Sequence, residues 1–135
     1  MLLTSFSISQ VISDYSYNTA ESSSLAGSIV SNKGGDWSLY NNPSTLVEVN
    51  KNQFSIGYAQ LYNQSYLPLS SFGLIISKYL GFKYSSFKVD YSNTELLNES
   101  LFGIVLAAYL LKDNNSTLSL GVSLNYCLID FALLL

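Results

Sequence analysis

Residues 117–128, TLSLGVSLNYCL, alternate between bulky apolar side chains and small or polar ones. The even-numbered positions from 118 to 128 are all apolar, and the odd-numbered positions from 117 to 125 are glycine or polar. Successive side chains of a β-strand point to opposite faces, so this pattern predicts a strand with one apolar face and one small-residue face. A strand of a soluble sandwich looks similar over five residues, but the eleven alternating residues of 118–128 favour a strand whose apolar face contacts lipid.

Four other segments repeat the period of two and bring the number of predicted strands to five. The first begins at Gln53 in QFSIGYAQL, and the others are 67–79, 82–91 and 100–112. Their connections, YNQS, LG, SNTELLNE and KDNN, are alternately shorter and longer, as the turns and external loops of outer-membrane barrels are. Tyrosine and phenylalanine gather near the strand ends, which fits an aromatic girdle and also the general preference of aromatic residues for strands.

The third predicted strand, FKYSSFKVDY, changes the parity of its apolar residues at Ser85 and Ser86. Apolar residues are even-numbered before this point and odd-numbered after it. One extra residue in the strand would restore the pattern, which predicts a β-bulge at Ser85–Ser86. A turn, or a different register, explains the parity change equally well.

The composition limits the class of protein. Only 11% of the residues are charged, whereas soluble domains usually have about a quarter. The longest apolar run, 101–111, is too short for a spanning helix but long enough for a spanning strand. Composition alone therefore leaves a membrane β-protein and a soluble β-sandwich about equally supported.

The residue types argue against an enzyme and against nucleic-acid binding. The chain has no histidine, its six basic residues are all lysines, and its net charge is −3, so it lacks the basic clusters that nucleic acid requires. Without histidine, no serine and aspartate can form a nucleophile–base arrangement with it. The single cysteine, Cys127, cannot supply the paired cysteine and histidine ligands of a zinc site. We expect no catalytic residue, no metal site and no cofactor.

The first 52 residues differ from the rest because they show no strand-like alternation. Residues 1–10 resemble the end of a secretory signal peptide, with Ser7 and Ser9 at a small-x-small cleavage site, although a disordered tail is the alternative. Residues 11–52 are predicted to form a small packed element with a short helix in 18–32, capped by Thr19. Residues 53–135 are predicted to contain the strands.

The segment SLAGSIVSNKGGDWSLYNNPSTL, directly before the strands, resembles the N-terminal region of FadL/TodX-like outer-membrane proteins, and most closely the PorV/PorQ-like branch. That family typically shows G-x-A-x-x-A-x-x-G-D-x-S-A-x-x-x-N-P-A-x-L before its first strand. The chain departs from the pattern at Leu39 and at Ser44. It matches the pattern at Gly27, Gly35, Asp36, Ser38, Tyr40, Asn42, Pro43 and Leu46.

The resemblance implies a fold and an address for this segment. The fold is an all-β, antiparallel transmembrane β-barrel in the bacterial outer membrane, of which this chain would supply about five N-terminal strands. The N-terminal segment would be a plug, or hatch, in the lumen, although an ordinary ordered turn is the alternative. The residues expected to form this plug are Gly34, Gly35, Asp36, Trp37, Tyr40, Asn42 and Pro43.

The resemblance also implies two alternative functions. The first is passive transport of hydrophobic compounds across the outer membrane, with a kinked third strand opening a lateral exit that a bulge at Ser85–Ser86 would mark. The second is a non-transporting membrane component of type IX secretion, whose partners would be secreted proteins. Because hydrocarbon does not tolerate open sheet edges, we expect five strands to be an N-terminal fragment of a larger barrel.

Overall fold

A computed structural model describes residues 34–35, 37–92 and 94–131. The predicted signal remnant at 1–10, the helix at 18–32 with its Thr19 cap, and Asp36 lie outside the described residues. The elements, in chain order, are the helical turn α1 (Trp37–Tyr40), the 3-10 helix η1 (Pro43–Glu48), β1 (Gln53–Gln60), the 3-10 turn η2 (Leu61–Asn63), β2 (Pro68–Ser77), β3 (Leu80–Tyr91), β4 (Thr94–Lys112) and β5 (Thr117–Phe131).

The five strands form one antiparallel sheet in the order β1-β2-β3-β4-β5, so each strand pairs with its neighbours in sequence. The prediction of an all-β chain with five strands is confirmed. Within the described residues, β1 and β5 are the two edges of this sheet. No helix in the described part of the chain is long and apolar enough to cross a membrane.

The register places a row of bulky apolar residues from all five strands on one face, here called the apolar face. One continuous row across the sheet runs from Phe54 through Leu74, Phe82 and Ile104 to Leu124. Phe54 and Leu124 are 62% and 63% exposed. Large hydrophobic side chains at this exposure form a contiguous patch of the kind that marks contact with another apolar phase or partner.

The opposite face, here called the small-residue face, carries glycine, serine, alanine and a few larger side chains. Its central row consists of Ser55, Gly73, Lys83, Gly103 and Asn125. This is the division that the alternation predicts, because adjacent residues of each strand point to opposite faces.

Three sequence-based predictions about the strands are wrong. The connection predicted at LG is part of β3, because Leu80 and Gly81 already pair with β2. The segment SNTELLNE is not a longer connection, since β4 begins at Thr94 and pairs with β3 from there. The predicted bulge at Ser85–Ser86 is absent, because both residues pair in unbroken register with β2 and with β4.

The parity change in β3 has a different physical cause. The strand runs straight through Ser85 and Ser86, so the apolar residues beyond them move to the small-residue face. Phe87 lies on that face, only 6% exposed, opposite Leu69 of β2. The bulky apolar side chains on the other face end at a row of serines, Ser70, Ser86 and Ser100. The pairing of β3 with β4 does shift register, but further along β3, between Val89 and Asp90.

Candidate functional site: a segment packed on the small-residue face

The described residues from Gly34 to Val49, here called the N-terminal segment, form two helical turns joined at Asn42 and Pro43. The backbone of Asn42 (φ −144°, ψ 87°) lies outside the helical region, which is disfavoured for a residue before proline. Its carbonyl accepts from the Thr45 N–H at 3.1 Å and from the Thr45 hydroxyl at 2.8 Å. Its Oδ1 accepts from the Ser44 hydroxyl at 2.7 Å. These bonds make the Asn-Pro pair a firm turn that begins η1.

Leu39 fills a hollow in the sheet that two glycines create. Its side chain is fully buried. A Cβ atom at Gly73 would lie 3.0 Å from Leu39 Cδ1, and a Cβ at Gly81 would collide with Leu39 Cδ2. Gly73 and Gly81 lie on neighbouring strands of the small-residue face, so glycine at both positions lets Leu39 sit directly against the backbone.

Tyr40 joins the segment to the two strands beneath it. Its hydroxyl donates toward two carbonyl oxygens, of Phe72 at 2.6 Å and of Tyr84 at 3.2 Å, which belong to directly paired residues of β2 and β3. The Lys83 ammonium lies 5.7 Å from the centre of the Tyr40 ring, within the range of a cation–π interaction. Lys83 is only 8% exposed, so this contact places a buried cation beside the segment.

The Asn-Pro turn rests on Gly121 of β5. A Cβ atom at this position would collide with the Ser44 nitrogen and with the Pro43 carbonyl carbon, both of them backbone atoms. Since neither atom can rotate away, a side chain at position 121 requires the whole turn to move. The turn and the strand are therefore complementary at this point.

The segment and the sheet share the core cluster of buried hydrophobic residues. The Tyr109 hydroxyl of β4 donates to the Val47 carbonyl at 3.0 Å, which fixes η1 over β4. The core cluster contains Leu39, Leu46, Val47 and Val49 from the segment and Ile75, Val105 and Ala107 from the sheet. The segment is thus held by apolar packing and by tyrosine hydroxyls at both of its helical turns.

The predicted plug residues have different positions in this arrangement. Tyr40, Asn42 and Pro43 lie against the sheet or form the turn that does. Gly34 (φ +71°) approaches the backbone of Glu48 and Val49 at the end of η1 rather than the sheet. Gly35 (φ +155°) is buried, and its carbonyl accepts from the Ser38 N–H at 3.1 Å. Trp37 begins α1, and its side chain is not among those described.

Sequence reasoning missed several residues that hold the segment. The sequence pattern treats Leu39 only as a departure from a family motif, treats Gly73 and Gly121 only as small residues of alternating strands, and assigns Gly81 to the connection LG. The available signal was their position, because all three glycines fall on the small-residue face. A glycine there leaves room for another part of the chain to approach the backbone closely.

The small-residue face carries two buried charged side chains, Lys83 and Glu99. Lys83 is in the central row, and Glu99 is 5% exposed in a different row, near Cys127, whose Sγ lies 4.0 Å from Glu99 Oε1. The described residues contain no group of three or more potential metal ligands.

Comparison of the chain with protein-family models, with curated proteins and with solved structures finds no significant match.

Removing the Tyr40 hydroxyl should loosen the N-terminal segment. A buried cysteine reacts only when its surroundings open, so Ser38→Cys in a Cys127→Ala background reports this opening, because Ser38 is fully buried. Tyr40→Phe is expected to raise the rate of maleimide labelling by about twofold to about tenfold, since one hydrogen bond contributes about 0.5–1.5 kcal/mol. In the control Tyr84→Phe, a hydroxyl 3.5 Å from Ser100 Oγ is lost, and the rate should not change. Equal acceleration by both variants would contradict the role given to Tyr40.

Proposed function

We propose that the five strands form part of the wall of an outer-membrane β-barrel whose interior is occupied by the N-terminal segment, and that the protein passes hydrophobic compounds across that membrane. The observation that carries the proposal is the division of the sheet into two faces over all five strands. Bulky apolar side chains cover one face, while the other face carries the glycines against which its own chain segment packs.

The size of the apolar face supports a membrane wall. On β5 it extends from Leu118 to Leu128, ten steps along the strand. At about 3.4 Å per residue this is about 34 Å, and strands tilted by about 35–45° would cover about 24–28 Å of depth. The apolar band of outer-membrane barrels is about 25 Å tall. A face buried against a second sheet has no reason to match this value.

The N-terminal segment supports an occupied interior. In a closed barrel the small-residue face would be the inner one, and the segment would then block the lumen beside β2, β3 and β5. Contacts through Leu39, Tyr40 and the Asn-Pro turn join it to strands that are far apart in the sheet. Further strands would have to pair with the edges of β1 and β5, because open edges are not tolerated in hydrocarbon.

Entry of a hydrophobic dye into cells tests the transport function. The complete reading frame that contains this chain is expressed in the outer membrane of a Gram-negative host, and uptake of N-phenylnaphthylamine is followed by fluorescence. We expect faster uptake than in cells with the empty vector, and a further increase when the segment is weakened by the double substitution Tyr40→Phe and Tyr109→Phe. Tyr84→Phe, which leaves the segment contacts intact, is the matched control.

The amount of protein in the outer-membrane fraction is measured for every variant, so that insertion and transport are separated. Correct insertion without any increase in dye uptake would contradict transport and favour the non-transporting role in protein secretion. Failure of the protein to reach the membrane fraction would contradict the barrel itself.

A further inference from the structure

We propose that a cleft at one end of the sheet binds the phosphate of an anionic lipid headgroup between Lys51 and Lys78. The cleft has a volume of about 250 Å³ and is lined by Val49, Asn50, Lys51, Asn52 and Lys78. The inference rests on the proposed membrane wall, because it takes its ligand from the surrounding bilayer.

The register of the sheet brings the two lysines together. Gln53 of β1 pairs with Ile75 of β2, so the residues just before β1 and just after β2 lie at the same edge. Lys51 precedes β1 by two residues, and Lys78 follows the last residue of β2. The two side chains therefore converge on one cleft although they are 27 positions apart in the sequence (78 minus 51).

The chemistry of the cleft suits an anion. Two ammonium groups and two asparagine amides supply hydrogen-bond donors, and no carboxylate is among the lining residues. Within the described part of the chain, neither lysine forms an ion pair, and the Lys78 ammonium lies 5.1 Å from the centre of the Tyr79 ring. Both lysines are exposed, so a ligand from outside the chain can reach them.

The position of the cleft suits a lipid rather than a ligand from bulk water. Phe54, Ile76 and Tyr79 are exposed by 62%, 45% and 46% and lie at this end of the sheet. A lysine just beyond the last apolar side chains extends its ammonium to the level of the headgroups. Lysine and tyrosine at that level are typical of a membrane interface.

The two ends of the sheet differ in charge, which also favours this end. Lys51, Lys78 and Lys112 lie here, together with Asp113 in the turn after β4. The opposite end carries Asp90, Glu95 and Asp130, and its lysine, Lys88, is already paired with Glu95 at 3.2 Å. Anionic headgroups would be attracted to the first end and repelled from the second.

Lipid selectivity measures this site. The complete protein is reconstituted in phosphatidylcholine vesicles at low ionic strength, and the motionally restricted fraction of spin-labelled phosphatidylglycerol is compared with that of spin-labelled phosphatidylcholine. We expect a preference for phosphatidylglycerol that falls by about fivefold for each lysine lost, and thus disappears in the double variant Lys51→Ala/Lys78→Ala. Lys112→Ala is the matched control, since it removes the same charge at the same end but outside the cleft, and it should keep the preference.

The other outcomes have separate meanings. Equal loss in Lys112→Ala would show general surface charge and overturn the site. Abolition of the preference by a few millimolar inorganic phosphate would identify the ligand as free phosphate and overturn the lipid assignment. A protein that resists extraction from the vesicles but shows no preference contradicts this inference alone, whereas a protein that does not insert contradicts the membrane wall as well.

Discussion

Alanine at position 121 is expected to displace the N-terminal segment from the sheet. The added Cβ would overlap the backbone of Pro43 and Ser44, which cannot rotate away. Overpacking of this kind costs about 1–3 kcal/mol, so the segment should open between about fivefold and about a hundredfold more often. Labelling of Ser38→Cys in the Cys127→Ala background measures the change as a rate.

Gly103→Ala is the matched control for this substitution. It makes the same chemical change in a neighbouring strand on the same face, so any effect on strand propensity is shared. Its Cβ would lie 2.6 Å from Lys83 Cε and 2.6 Å from Asn125 Oδ1, which belong to side chains that can shift. We expect its labelling rate to remain within about twofold of the parent. If both variants label at the same rate, the Asn-Pro turn is not seated on Gly121.

The strands could be predicted from the sequence because their signal is local and periodic. In β5 every second side chain points to the same face, so the apolar face can be identified from this strand alone, without its partner strand. The prediction failed where that periodicity ends. Residues 92–99 are polar except for Leu96 and Leu97 and are predicted as a loop, but the pairing of β3 with β4 continues to Tyr91 and Thr94. Pairing of the backbone does not depend on an apolar face.

The contacts of the N-terminal segment could not be predicted in the same way, because they join residues that are distant in sequence. Tyr40 and the carbonyl of Phe72 are separated by 32 positions, and the Tyr109 hydroxyl and the carbonyl of Val47 by 62. A tyrosine that donates to a backbone carbonyl imposes no residue type on its partner, so nothing in the sequence marks the other end of the bond. The Asn-Pro turn was predictable because proline restricts its own neighbour.

The parity change in β3 illustrates the same limit. The parity change of the apolar side chains predicts a β-bulge at Ser85–Ser86. The structure instead keeps the register and moves Phe87 to the other face, where it is buried opposite Leu69. A bulge and a change of face leave the same pattern in one strand, and only the paired strands distinguish them. The lateral exit expected at Ser85–Ser86 therefore lacks its structural basis.

Arginine at position 124 should separate a membrane wall from a soluble sheet by the size of its effect. Leu124 is 63% exposed and lies near the middle of the apolar face of β5, between Leu118 and Leu128. In water, a charged side chain at such a position changes the free energy of unfolding by no more than about 0.5 kcal/mol. In a bilayer, the same substitution at the midplane of an outer-membrane strand costs about 2–4 kcal/mol.

Leu118→Arg is the internal control, because it makes the same substitution on the same face of the same strand, but at the end of the apolar band. Near the end of the apolar band, arginine lowers the stability of a barrel strand by only about 0–1 kcal/mol. Denaturant unfolding of the complete protein in phospholipid vesicles, followed by tyrosine fluorescence, gives both values. A difference of about 2 kcal/mol or more between positions 124 and 118 is expected from a lipid gradient across the strand. Two equal and small values would mean that the apolar face meets water or a protein partner. The two leucines are similarly exposed, by 63% and 56%, so without a gradient of polarity along the strand they should respond alike.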